Sequence, residues 1–376
     1  MPWRASGRCG GNPSRPRVDP TYRRDVTEPA APPPVDDGTP LRARVVRADR
    51  GALLVVPDDD LGAAAHRADL PRDGLLPLPD GTRVPPTVGD VVQVDRTGAW
   101  HATALRPRRT AVVRDSAGRT SLEQAVAANV DVVLVVEHLD PDPDLGRVER
   151  LLTLAWRSGA RPVVVLTKAD LVPDPEGMAA EVARVAIGVD VRAVSVVDGT
   201  GLEAVRALLA PGVALVAVGP SGAGKSSLVN ELAGREVMAT HGLRSDGRGR
   251  HTTTHRQLVP LADGAVLIDT PGVRGVGLVA APEALDTTFA DVAALAARCR
   301  FADCAHVTEP GCAVRAAVES GELAERRLAS WRKLAREAAY AARRADARLA
   351  AEERARWKRV TKEYHQRLRG AGSPRP

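Results

Sequence analysis

The chain has 376 residues, 44% of them hydrophobic, enough for two or three domains with cores of their own. With only 4 cysteines, no apolar leader in MPWRASGRCGGNPSRPRVDP and no uninterrupted apolar run of about 18 residues, a disulfide scaffold, a secreted protein and a membrane protein are not expected, and a reducing, cytoplasmic setting is. The net charge of +6 is uneven: residues 313–376 carry 17 Lys/Arg against 8 Asp/Glu, whereas residues 41–312 carry 30 against 34.

Residues 1–39 are rich in Arg, Pro and Gly and include AAPPPVDDGTP, the composition of a disordered arm. Over 40–108 come short alternating runs (LRARVV, ALLVV, DVVQV, WHATAL) separated by turn residues, as in VPPTVGD. Strands at this spacing predict a small β-barrel of the OB-fold type. OB-folds often bind oligonucleotides, but a barrel without a ligand fits the pattern equally. From 109 to 282 continuous apolar strands alternate with helical segments: VDVVLVV (130–136), PVVVLT (162–167), VRAVSV (191–196), VALVAV (213–218) and AVLIDT (265–270). Buried runs separated by helices predict a parallel sheet covered on both faces, an α/β domain. Residues 283–376 read as helical. The basic excess there suits a polyanion, most simply RNA; a solvated, salt-bridged helical face has the same composition.

Gly219-Pro220-Ser221-Gly222-Ala223-Gly224-Lys225-Ser226 fits the P-loop pattern G-x-x-x-x-G-K-[ST]. The strand VALVAV precedes it and SSLVNELAG follows as a helix, the order this chemistry requires. Glycines let backbone N–H groups converge on phosphate oxygens, and the helix N-terminus adds partial positive charge. Lys225 is expected to reach the β- and γ-phosphates, with the Ser226 hydroxyl on Mg²⁺ and Ser227 completing the binding segment. Asp269-Thr270-Pro271-Gly272 ends a strand 44 residues after Lys225. There Asp269 can hold the metal through water, and the Gly272 N–H can sense a γ-phosphate. The polar segment SDGRGRHTTTH (245–255) between them has the composition of a switch loop.

Thr167-Lys168-Ala169-Asp170 follows another buried strand. A carboxylate at Asp170 can accept from both N1–H and the 2-amino group of guanine; adenine offers neither donor. By analogy with base readout, such a bidentate contact is worth about 1–3 kcal/mol. Ser195-Val196, after a further strand, can supply a backbone N–H to guanine O6. The motif order is unusual. Ordinary small GTPases place phosphate motifs first and base motifs last, whereas here the base motifs come first. Permutation preserves such a sheet, because chain termini lie at the surface and are often close together.

Cys299, Cys304, His306 and Cys312 are spaced C-x4-C-x-H-x5-C. Three thiolates and an imidazole make a closed tetrahedral set, expected to hold one structural zinc ion per chain. Cys9, in the arm, has no evident role.

Together these pieces resemble the circularly permuted GTPases that depend on the small ribosomal subunit, the RsgA/YjeQ family. The carriers are QAVAANVD (124–131), TKAD, GPSGAGKSSLVN, GRHTTT (249–254), DTPGVRGVGL (269–278), FADCAHVTEPGC (301–312) and SGELAERRL (320–328), covering roughly residues 41–335. The resemblance implies an N-terminal OB-fold, a central permuted P-loop GTPase domain and a C-terminal helical zinc domain. It implies GTP hydrolysis to GDP and phosphate, stimulated by the small subunit during its late maturation, with GTP/GDP, Mg²⁺, the subunit and its rRNA as partners. A monomer is expected. It also suggests Thr253 as the switch threonine on Mg²⁺. The family usually carries Asn where this chain has Thr167, which is expected to weaken contact with base and P-loop; Ser-Ala is replaced by Ser195-Val196.

Position 273 is Val, where many GTPases use Gln to orient the attacking water. His251, in the switch loop, is the candidate replacement and acts beside Lys225 and Gly272; the alternative is an exposed polar loop residue. Two rival readings are an RNA-binding ribosome-assembly protein with a vestigial nucleotide site, opposed by the intact Lys225, Ser226 and Asp269, and a P-loop ATPase or kinase, opposed by Asp170.

Overall fold

The structure is a computed structural model, and it describes residues 39–115, 123–238, 257–261, 264–269 and 282–343, with Ala351, Trp357 and Lys358. His251, Thr253, Gly272 and the arm with Cys9 lie outside the described residues.

The first unit is a barrel. Its strands are β1 (Leu41–Asp49), β2 (Ala52–Pro57), β3 (His66–Asp69), β6 (Val91–Asp95) and β7 (His101–Leu105), with a small ribbon of β4 (Leu76–Pro77) and β5 (Arg83–Val84). Hydrogen bonding runs β1-β2-β3-β7-β6 and returns to β1, which closes the ring. β3 and β7 are parallel and the other pairs antiparallel, the five-stranded OB arrangement expected. A bulge between Val45 and Arg47 lets β1 bend and serve two neighbours. Ala43, Val45, Leu53, Val55, Val92 and Val94 fill the interior from alternating positions.

A hairpin of β8 (Ala111–Asp115) and β9 (Glu123–Ala128) leads out of the barrel, and Asn129 locks the junction. Its buried amide donates to Gly89 O (2.9 Å) and accepts from Arg109 N (3.0 Å), with its backbone held at φ 53°. Gly89 has no alternative here: a Cβ would sit 2.1 Å from Ala128 O. Asp131 continues the joint, accepting from Arg109 (3.1 Å) and from Ala214 N (2.9 Å). The Asn and Asp of QAVAANVD thus pin barrel to sheet.

The second unit is a sheet in the order β12 (Asp190–Ala193), β11 (Arg161–Thr167), β10 (Val132–His138), β13 (Ala214–Val218), β15 (Val266–Asp269), β14 (Gln257–Pro260). All neighbours are parallel except the β14–β15 pair. Helices α1 (Leu145–Ser158), α2 (Pro175–Val185), α3 (Leu202–Arg206) and α4 (Lys225–Ala233) lie between the strands in the chain. Two clusters of buried apolar side chains contain alternating residues of β10: Val133 and Val135 in one, Leu134 and Val136 in the other. That is why these strands are apolar throughout. After β10 the chain builds outward through β11 to β12; it then returns to β13, beside β10, and builds the other way. The crevice at the carboxyl ends of β10 and β13 is therefore the topological switch point, where open α/β sheets bind ligands. β14 also pairs with β1 at Arg47↔Gln257, so sheet and barrel are continuous.

The third unit contains α5 (Pro282–Thr288), α6 (Ala290–Ala296), α7 (Ala313–Glu319) and a helix over 325–343, packed around Phe289, Val292 and Val314. It docks on α1 through a buried ionic cluster. Glu149, fully buried, accepts from Arg327 (2.8 Å), Arg326 (3.0 Å) and Ser330. Arg327 also binds Asp291 through two nitrogens at 3.0 Å and lies over the Phe289 ring.

Candidate nucleotide and zinc sites

β13 ends at Val218 and α4 begins at Lys225, so Gly219 to Gly224 form the loop between them. Gly219 must be glycine because a Cβ would lie 2.0 Å from Val136 O on neighbouring β10. Gly224 caps α4 at φ 74°, its Cα pressed toward Thr167. Lys225, Ser226 and Ser227 form the first turn of α4, where backbone N–H groups point out of the helix end toward the crevice. Lys225 Nζ donates to Gly219 O (2.9 Å) and Pro220 O (2.5 Å), so the ammonium arches over the loop. Asn230, on the same helix, accepts from Val237 N (2.9 Å) and Met238 N (2.8 Å), fixing the chain that leaves α4.

The TKAD segment lies against this loop although 56 residues separate the contacting positions. The buried Thr167 hydroxyl is 2.8 Å from Ala223 O and 3.2 Å from Glu137 O. The tie to the P-loop, expected to weaken with threonine at this position, is present. Lys168 takes φ 63° and donates from Nζ to Asp140 O (2.9 Å), while Ala169 N donates to Val194 O (3.1 Å). The following single 3₁₀ turn, Ala169–Leu171, leaves Asp170 exposed at the sheet edge and without a partner among the described residues.

The Ser195-Val196 pair is expected to supply one backbone N–H to a base. The Ser195 N–H donates to Thr200 O (2.9 Å), so it is not available to a base; of the Ser195-Val196 pair only the Val196 N–H remains for that contact. β12 stops at Ala193 rather than continuing to 196, because the buried Ser195 side chain organises a turn, its Oγ accepting from Val197 N (3.1 Å) and Asp198 N (3.4 Å).

Asp269 closes β15, two strands from β10 across β13. It is 8% exposed, and burial raises its pKa to about 6. Such a carboxylate is suited to a cation that would offset its desolvation.

In the helical unit, Cys299, Cys304, His306 and Cys312 place their ligand atoms within 4.8 Å of one another. Cys299 Sγ lies 3.9 Å from Cys312 Sγ, and His306 Nδ1 lies 3.6 and 3.5 Å from the two sulfurs. The edge of a tetrahedron of zinc-bound sulfurs is about 3.8 Å, so the set fits a structural zinc ion. His306 takes φ 58° to turn Nδ1 inward, and burial lowers its pKa, keeping the ring neutral and able to ligate. Two supports were not anticipated from the ligand spacing. Glu309 accepts from Ala305 N, Val307 N and Thr308 N (3.1, 2.8 and 3.0 Å), and backbone donors, its own N–H foremost and that of Val307 next, depress its pKa to about 2. Arg332, on the last helix, donates to His306 O while its neighbour Trp331 packs on the imidazole. The signal for Glu309 was present in the EPG turn inside the ligand spacing; the partners of Arg332 and Trp331 had none.

Comparison with known proteins places these features together. The model of the RsgA GTPase family matches residues 105–279. Curated relatives named small ribosomal subunit biogenesis GTPase RsgA include one from Streptomyces avermitilis, 48% identical over 331 residues, covering 87% of each chain. Another, from Streptomyces coelicolor, is 49% identical over 324 residues, covering 85% of this chain and 86% of its own. Among solved structures, YjeQ from Thermotoga maritima superposes with a TM-score of 0.58 at 27% identity, over 80% of this chain and 99% of its own. A structure described as YloQ, a circularly permuted GTPase, gives a TM-score of 0.58 at 22% identity over 80% of this chain and 95% of its own, a likeness of fold.

Proposed function

Because this chain belongs to the RsgA GTPase family, we propose that its crevice at β10, β11 and β13 holds one guanine nucleotide between Lys225 and Asp170. The protein is a GTP-hydrolysing enzyme of small ribosomal subunit biogenesis, with GTP/GDP and the small subunit as partners. The observation carrying the site reading is the 2.8 Å contact between Thr167 Oγ1 and Ala223 O, which joins the base motif to the phosphate motif despite their inverted order in the chain.

On this reading the N–H groups of Gly222 to Ser227 hold the phosphates, and Lys225 exchanges its loop carbonyls for β- and γ-phosphate oxygens. Magnesium, when bound, neutralises charge on the β- and γ-phosphates, and Ser226 and Asp269 would hold it together with Thr253. Asp170 accepts from N1–H and the 2-amino group of guanine, and the Val196 N–H faces O6. A water oxygen attacks the γ-phosphorus, the bond to the β–γ bridging oxygen breaks, and GDP and phosphate leave. His251 orients that water, and the Gly272 N–H holds a γ-oxygen. Contact with rRNA through the basic C-terminal segment, a monomeric state and a cytoplasmic location complete the proposal; among the described residues no helix is long and apolar enough to cross a membrane.

The test is GTP turnover by the full chain with and without purified small subunits, beside titrations with GTP, GDP and ATP. Guanine-selective binding and strong stimulation support the reading. Guanine binding with no turnover in either condition would instead support an assembly protein with a vestigial site.

A further inference from the structure

β10 is apolar from Val132 to Val136 and closes with Glu137 and His138, and the Glu137 carboxylate is fully buried. A buried carboxylate is strongly destabilising unless it is paired. The partner is Arg147, in the first turn of α1, bound by Nε to Oε2 (2.6 Å) and by a terminal nitrogen to Oε1 (3.0 Å). His138 lies alongside, its Nε2 3.4 Å from Oε1. Arg147 N also caps onto Asp144 (3.0 Å), so the pair ties the end of β10 to the start of α1 and clamps the connecting residues 138–144 at both ends.

Glu137 and the connecting residues together touch the base motif at three points. Glu137 O lies 3.2 Å from Thr167 Oγ1, Leu139 N donates to Thr167 O (3.0 Å), and Asp140 O receives Lys168 Nζ (2.9 Å). Lys168 is the left-handed residue immediately before the turn that presents Asp170. An apolar pair of similar volume would close the same gap with less desolvation. A bidentate ion pair adds fixed geometry, set where the base motif needs it.

We infer that Glu137 and Arg147 are positioning residues for the base site. By fixing 138–144, and through it Lys168, they set how tightly and how selectively Asp170 holds guanine. The inference rests on the reading of Asp170 given above. Both act through the wall they hold.

The experiment uses the full chain. Arg147→Ala, Arg147→Lys and Glu137→Gln are compared with Arg150→Ala, which breaks the ion pair from the same helix to Glu337 (2.7 Å) away from the site. Dissociation constants for GDP and ADP come from competition against a fluorescent guanine nucleotide, with subunit-stimulated kcat and KM beside them. The inference predicts that Arg147→Ala weakens GDP about tenfold, or 1.4 kcal/mol, leaves ADP nearly unchanged, and raises KM with kcat preserved. Arg147→Lys and Glu137→Gln should lie between, and Arg150→Ala should lower the melting temperature with no change in the GDP-to-ADP ratio. If Arg147→Ala fails to fold, Arg147→Lys and Glu137→Gln carry the same comparison. An unchanged ratio in these variants, or equal loss of GDP and ADP, overturns the inference. Asp170→Asn separates the two readings, because an amide donor suits the 2-oxo group of xanthine. If that variant gains xanthosine diphosphate while the ratio in the Arg147 variants is unchanged, only the positioning role falls. If it leaves base preference unaltered, the base-site reading fails and the positioning role fails with it.

Discussion

Thr167→Val replaces one hydroxyl by a methyl at the seam between the two nucleotide motifs and keeps the branched shape of the side chain. The side chain is 4% exposed, and its Oγ1 lies 2.8 Å from Ala223 O and 3.2 Å from Glu137 O. One proton serves one of these acceptors at a time, so a single hydrogen bond is lost. A net bond contributes about 1 kcal/mol, and an acceptor left dry costs about 1–3 kcal/mol. Denaturant titration should therefore show about 1–3 kcal/mol lost with an unchanged m-value. The Ala223 peptide belongs to the P-loop, so GDP and GTP should both weaken, by about three- to tenfold. Thr167→Asn, which restores an amide, should recover nucleotide affinity. Wild-type stability together with wild-type affinity in Thr167→Val would refute the idea that this contact assembles the site.

Three further outcomes follow from the same geometry. Asp269 has its pKa raised to about 6 against 3.8 unfolded, so in the metal-free protein the folded state binds the extra proton between those values and stability falls as pH rises through that window. Asp269→Asn should accordingly make the nucleotide-free protein more stable at pH 7, by up to about 3 kcal/mol, while abolishing magnesium-dependent turnover; a less stable variant in pH-dependent denaturation would contradict this. Cys312→Ser, or a strong chelator, should reduce zinc from one ion per chain to none and lower the melting temperature of the helical unit, since Cys312 and the neighbouring Val314 are both in its core; metal analysis and calorimetry report both. His251→Ala should leave GTP binding nearly intact and cut subunit-stimulated turnover by about 10²-fold; wild-type turnover would remove the imidazole from the mechanism.

Much of the site was readable from the chain because its chemistry is local. A P-loop needs glycines at fixed offsets beside Lys225 and Ser226, and a zinc knuckle needs its thiolates close together, so both appear as short strings. The valine runs of β10 and β11 identified a parallel sheet for the same reason: strands buried on both faces cannot be polar. The barrel was less legible at β3, where HRAD has only Ala68 in the interior and no clear alternation. What stayed hidden is tertiary. Nothing adjacent to Glu149 marks it as the partner of Arg327, 178 positions away. Glu137 did leave a trace, as a charge closing the apolar run VVLVV, but its pairing with Arg147 depends on how α1 returns over the strand. At Ser195-Val196 the sequence suggested a backbone donor for the base but not which of the two amides; the turn Ser195 builds engages its own N–H and leaves that of Val196.

The most direct measurement is a crystal structure of the full chain with magnesium and a non-hydrolysable GTP analogue. The triphosphate should lie across Gly219 to Ser227 with Lys225 on the β- and γ-oxygens, and the guanine edge should face Asp170. Nucleotide bound elsewhere, or a base turned away from Asp170 with the P-loop occupied, would contradict the single-site arrangement.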